Sequence, residues 1–155
     1  MNGTLYGVGV GPGDPELMTF RAWRIIAAAP VVAFIGAGGR PSRARTTASA
    51  AIPAECRLLP IDMPMRADPA EGQATYDAAA TEVARELAAG RNIAFLCEGD
   101  PLLYGSFIYL MARLQADFRV EVVPGLPSFV ACAAELRQPL ARRSESFGIV
   151  PGTLS

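Results

Sequence analysis

The stretch Leu5-Tyr6-Gly7-Val8-Gly9-Val10-Gly11-Pro12-Gly13-Asp14-Pro15 decides the fold class. Its first half is a short apolar and glycine run bounded by turn residues, which reads as a buried strand that stops abruptly at a tight loop. The same signature recurs twice downstream. Asn92 to Leu96 leads into Cys97-Glu98-Gly99-Asp100-Pro101, and Val120 to Val123 leads into Pro124-Gly125-Leu126-Pro127-Ser128. Between and beyond these strands the apolar spacing turns helical. Thr19 is placed to cap a helix running to Ala29, with Phe20, Trp23 and Ile26-Ala27 as its apolar side and Pro30 as its stop. Val31 to Ile35 is a second buried strand. Ser42 is placed to cap a short helix through Ala51, and Arg57 to Ile61 is a third, weaker strand. A long helix from about Glu71 to Ala89 presents Tyr76, Ala79-Ala80, Val83 and Leu87, with Gly90 as its left-handed end. Two further helices are expected at Ser106 to Leu114 and at Ser128 to Leu136.

Strands and helices thus alternate five times. With continuous apolar strands, that pattern predicts an α/β domain: a mostly parallel five-stranded sheet with helices on both faces, binding its ligand beyond the carboxyl ends of the strands. The domain is expected over residues 1–143. Residues 144–155 hold one more strand-like piece, Ser146 to Val150, followed by Pro151-Gly152-Thr153-Leu154-Ser155, and read as cut rather than finished.

Composition narrows the chemistry. The 155 residues are 51% hydrophobic and 19% charged with net charge −1, which suits one globular domain with a sizeable core. All 14 basic residues are arginine and histidine is absent. Histidine-based nucleophile systems, imidazole metal ligands, lysine Schiff bases and the GxxxxGK phosphate loop are therefore excluded. Cys56, Cys97 and Cys132 are scattered and unpaired in sequence, so they read as reduced thiols in or near the core rather than a disulfide frame or zinc site, and no metal is expected. A balanced charge offers no field for nucleic acid. The longest apolar run, Ile25 to Ile35, is too short to span a membrane and is broken by Pro30. The glycine-rich start lacks the basic region of a signal peptide. A cytoplasmic, soluble protein is expected.

The three glycine and proline loops carry the candidate site. A dinucleotide fingerprint fails at the first of them, because the third glycine of GxGxxG would fall on Pro12 or Asp14 and no acidic residue stands about 20 residues on. Glycine lets a ligand approach the backbone, while proline fixes the loop without adding a donor. That suits a cationic or polar organic ligand, such as a sulfonium, better than a pyrophosphate.

Taken in order, Val8 to Thr19 (VGVGPGDPELMT), Phe95 to Leu110 (FLCEGDPLLYGSFIYL) and Glu121 to Phe129 (EVVPGLPSF) resemble the signature loops of the tetrapyrrole methylases. These enzymes transfer methyl from S-adenosylmethionine to porphyrinoids. The string CEGDPLLYGSF, with IDMPM at Ile61 to Met65, is similar to the branch that methylates precorrin-2 at C20, giving precorrin-3A in cobalamin biosynthesis. The resemblance implies an N-terminal α/β domain, with residues 144–155 as the linker and first strand of a second domain, and a homodimeric whole protein. Another methylase of the same fold, or a non-catalytic metabolite-binding fragment, are the alternatives.

By the same resemblance, Pro12, Glu98, Gly99, Asp100, Leu103, Pro127 and Ser128 fall at positions that contact the methyl donor. Gly13, Asp14, Arg40 and Arg43 are the candidate substrate-side residues, since precorrin-2 is a polycarboxylate and guanidinium forks suit its acetate and propionate arms, with a solvated face of a short helix as the competing reading of the arginines. Arg45 belongs to the same cluster. Uroporphyrinogen-type relatives have glycine at Glu98 and Thr-Ala at Pro127-Ser128, and an aspartate, proposed as a base, where this chain has Ile35. That place is excluded as a base here; Asp100, in a constrained loop next to the expected methyl position, is the candidate for taking the C20 proton or polarising the substrate, with Glu98 as a weaker alternative and capping of the next helix or orientation of its own loop as the competing reading. Asp14 is expected to tie down its own turn.

Overall fold

The computed structural model describes residues 1–36, 41–62 and 69–151. Five strands, β1 (Thr4–Gly9), β2 (Val31–Gly36), β3 (Arg57–Asp62), β4 (Ile93–Cys97) and β5 (Arg119–Val123), alternate with five helices. These are α1 (Phe20–Ala27), α2 (Arg43–Thr47), α3 (Pro69–Ala88), α4 (Phe107–Leu114) and α5 (Ser128–Leu136), with 3-10 turns at Pro15–Leu17 and Ser49–Ala51. The strands form one sheet in the order β3-β2-β4-β1-β5, and every strand pair is parallel.

Strand β4 is buried at all five positions because it lies mid-sheet between two helical layers. On one face Leu5, Ala33, Leu59, Ile93 and Phe95 pack against Val83 and Leu87 of α3 and Phe107 and Leu110 of α4. On the other, Val8, Val32, Phe34, Ala94 and Leu96 meet Ala22 and Ile26 of α1 and Ala44 and Ala48 near α2. The expected two-faced sheet is present. Gly7 belongs to the first face: a Cβ there would sit 2.4 Å from the Phe107 ring, so the glycine makes room for that wholly buried aromatic.

Local chemistry sets the element ends where expected. The Thr19 hydroxyl accepts from the Ala22 amide at 3.1 Å and starts α1; the Ser42 hydroxyl does the same for Arg45 at 3.4 Å at α2. Gly90, at φ +80°, ends α3, its amide donating to the Leu87 carbonyl at 2.9 Å.

Two expectations fail. The buried side of α1 is Ala22, Ile26 and, just past its end, Ala29, while Phe20 is 95% exposed and Trp23 is also outside. Small residues let the helix lie close on the sheet, and spacing alone could not say which of two apolar stripes does so. Ser146 to Val150, expected as the first strand of a second domain, pairs with no strand among the described residues, and Phe147 lies against Phe129 of α5, ring centres 5.4 Å apart. Cys97 is buried and Cys56 partly so, but Cys132 is exposed because α5 buries none of its residues.

Candidate active site

Because β4, β1 and β5 are neighbours and parallel, their carboxyl ends deliver the three glycine loops to one place. There the loops touch through backbone. Gly11 and Gly99 form an isolated antiparallel bridge, with amide-to-carbonyl distances of 2.9 and 3.4 Å. A Cβ on Gly125 would lie 2.0 Å from the Gly99 carbonyl oxygen and 2.7 Å from the Gly9 Cα, and one on Gly9 would lie 2.5 Å from the Gly125 nitrogen. The glycines therefore serve first to let the loops approach one another, rather than a ligand as their type suggests in sequence.

Asp100 completes this clasp. One carboxylate oxygen accepts from the Leu102 amide at 2.9 Å and the other from the Gly125 amide at 3.0 Å, so the side chain ties the β4 loop to the β5 loop. Asp14 accepts from the Glu16 amide at 2.8 Å and holds its own turn, as expected. The Thr47 hydroxyl donates to the carbonyls of Arg43, at 3.0 Å, and Gly13, at 3.4 Å, and thereby seats the first loop on α2.

Beside the clasp lies a cavity of about 460 Å³, within the range of small-molecule sites. Pro12, Glu98, Gly99, Asp100, Leu103, Pro127 and Ser128 all line it, so the seven positions singled out for the methyl donor share one wall. A second cavity of about 360 Å³ opens between the ends of β2 and β4, walled by Ile35, Phe95 and Leu96 and by Ser42 and Ser106. Arg43, Glu98, Leu103 and Tyr104 border both. Arg43 reaches Glu98 at 3.8 Å. Arg45 turns elsewhere, its guanidinium 5.4 Å from the centre of the Phe34 ring.

Gly13 and Asp14 do not line either cavity, and Arg40, Met63 and Met65 fall outside the described residues. Sequence reasoning missed Phe129, Ile149, Val150 and Pro151, which close the larger cavity. For Ile149 and Val150 the signal is the apolar end of Ser146 to Val150 after a charged run, which is as compatible with a strand as with a cavity wall. Tyr104 stands between the cavities at φ +53°, a left-handed backbone that a tyrosine seldom adopts. The Cys97 thiol, buried at the end of β4, is pushed well above the usual thiol range by burial and by the Asp100 charge, which disfavours its thiolate.

The family Tetrapyrrole (Corrin/Porphyrin) Methylases matches residues 4–155. The chain belongs to the tetrapyrrole methylases. Its relatives include the precorrin-2 C(20)-methyltransferase of Sinorhizobium sp, 38% identical over 99% of this chain and 66% of that protein. The cobalt-precorrin-2 C(20)-methyltransferase of Salmonella typhimurium is 34% identical over 99% of this chain and 65% of that protein. This methylase chain therefore spans just under two thirds of the length of both. Among solved structures, uroporphyrin-III C-methyl transferase from Thermus thermophilus complexed with S-adenyl homocysteine aligns with TM-score 0.63 at 28% identity, over 94% of this chain and 53% of that one. Among the described residues of this methylase chain, no helix is long and apolar enough to cross a membrane.

Proposed function

We infer that this chain is the N-terminal, donor-holding domain of a methylase that transfers methyl from S-adenosylmethionine to C20 of precorrin-2, giving precorrin-3A. The observation that carries the reading is the single cavity wall formed by Pro12, Glu98, Gly99, Asp100, Leu103, Pro127 and Ser128. The precorrin-2 and cobalt-precorrin-2 enzymes among its relatives support C20 as the position.

The wall suits the donor chemically. Two carboxylates, Glu98 and Asp100, face one guanidinium, which favours a cationic ligand, and Pro12, Leu103, Pro127 and Phe129 offer apolar surface for a planar ring. S-adenosylmethionine would supply an electrophilic methyl group on a sulfonium. A meso carbon of a reduced tetrapyrrole is enamine-like and nucleophilic, so the protein's part is mainly to align the partners and exclude water. The clasped loops hold the wall rigid for that alignment. Asp100 does so by its two amide contacts and also lines the cavity, and in this reading its carboxylate takes the C20 proton after transfer. In the same reading Arg43 meets an acetate or propionate arm. Residues 144–155 belong in this reading to the passage into a second domain, which the greater length of the relatives supports, and the whole protein is a cytoplasmic homodimer.

Calorimetric titration with S-adenosylhomocysteine tests the donor site, with micromolar binding expected. A methyl-transfer assay on the chain joined to its downstream coding region tests the acceptor. Precorrin-2 is expected to be methylated and uroporphyrinogen III not; the reverse would assign the chain to another branch of the family. S-adenosylhomocysteine binding without methyl transfer to either would favour a binding protein.

A further inference from the structure

We propose that the Arg43–Glu98 pair is an exchangeable link between the two cavities, through which acceptor binding strengthens donor binding. The inference rests on the methylase reading above and concerns how its two ligands communicate. A carboxylate arm entering the smaller cavity takes Arg43 away from Glu98. The uncompensated Glu98 then holds the cationic donor in the larger cavity more tightly.

Position makes this pair the junction, since both residues border both cavities. Arg43 is the single cation in either wall among the described residues, so an anionic arm has one guanidinium to meet. The pair is also loose. At 3.8 Å its atoms are beyond hydrogen-bond reach, and the two side chains are 75% and 56% exposed. An ion pair this open is weak and is given up at little cost. A carboxylate offered in the planar, two-pronged geometry that guanidinium prefers is the better partner. The Glu98 left behind is repelled by that arm and attracted by the positive charge of the donor.

A different kind of pair shows what an unexchangeable link looks like in the same molecule. Glu86, 2% exposed, is gripped by Arg57 and Arg91 at 2.5 Å each. Arg43–Glu98 lacks both the burial and the contact.

Coupling between two ligands is reciprocal, so either titration reads it. The experiment is calorimetric titration of this chain with S-adenosylmethionine and with S-adenosylhomocysteine, each with and without saturating uroporphyrin III. That oxidised ring carries the acetate and propionate arms and does not react. S-adenosylmethionine is expected to bind about twofold to fivefold more tightly when uroporphyrin is present, a gain limited by what an exposed ion pair can contribute. S-adenosylhomocysteine, without the sulfonium charge, is expected to gain less. Glu98→Gln should bind uroporphyrin at least as well as the parent, because Arg43 is released, yet show no coupling. Arg43→Gln should lose both uroporphyrin affinity and coupling. Both side chains are more than half exposed, so the variants retain the fold.

Donor affinity indifferent to uroporphyrin in the parent chain, or coupling retained in Glu98→Gln, would overturn the link while leaving the methylase reading standing. Failure of either adenosyl compound to bind at all would overturn both.

Discussion

Two residues at the clasp set its tolerance. Gly125 has no room for a side chain, since the Gly99 carbonyl oxygen and the Gly9 Cα occupy the space. Gly125→Ala should therefore cost about 1–3 kcal/mol, the usual penalty for overpacking, and weaken S-adenosylhomocysteine binding by parting the loops. Urea unfolding and titration of the same variant check both effects. Asp100→Asn turns one accepting oxygen into an amide that cannot accept from both backbone N–H groups. A loss of about 1.5–3 kcal/mol is expected, the range for hydrogen bonds to a charged group. If donor affinity falls with it, Asp100 acts through the loops; unchanged affinity with lost turnover would leave proton transfer as its main part.

Among the elements, α5 stands apart. Its sequence, SFVACAAEL, is apolar, yet none of its residues is buried, and the Phe129–Phe147 contact is the aromatic pairing it makes. A nine-residue helix is marginal without packing. Amide exchange in α5 is therefore expected to run orders of magnitude faster than in β4, and faster still in Phe147→Ala; protection equal to that of β4 would contradict this account. The elements also show what was legible beforehand. All five strands and five helices were readable, because apolar runs, caps at Thr19 and Ser42, and Gly90 are local signals. Which stripe of α1 goes inside was not, because Phe20 and Trp23 are as apolar as the buried side, and the choice depends on how closely the helix must lie on the sheet. The shared cavity wall was legible only through the resemblance of three loops, whereas the Arg43–Glu98 contact joins residues that no spacing rule relates.

For the whole molecule, one carboxylate ties elements together at each edge of the sheet. At the carboxyl edge Asp100 joins the β4 loop to the β5 loop beside the glycine contacts, and at the amino edge Glu86 near the end of α3 bridges Arg57 at the start of β3 and Arg91 just before β4. The hydrogen bond from Arg91 above all, aided by the charge of Arg57, outweighs burial and holds the Glu86 carboxyl below the usual glutamate range. Its two arginines cover it at the rim while being about half exposed themselves. A carboxyl depressed in the folded state stabilises the protein above its unfolded-state pKa and stops doing so as pH falls through the folded value. Unfolding free energy is thus expected to drop with acidification below about pH 4.3, the ordinary value for a glutamate. Glu86→Gln should lower stability by about 1–3 kcal/mol at neutral pH, less than for a fully buried pair, and flatten that acid limb. Denaturant titrations across pH measure both, and an acid limb as steep in the variant as in the parent would remove Glu86 from the cause.

The clasp of Gly9, Gly11, Gly99 and Gly125 is made of main-chain atoms, the one chemistry that all residues share. The frame of the site and its fittings are consequently separate inheritances. The side chains that line the cavity beside it, Asp100 apart, make none of these contacts and can be replaced without parting the loops. The shape of the socket thus belongs to the path of the chain, and its chemistry to residues that can change one at a time.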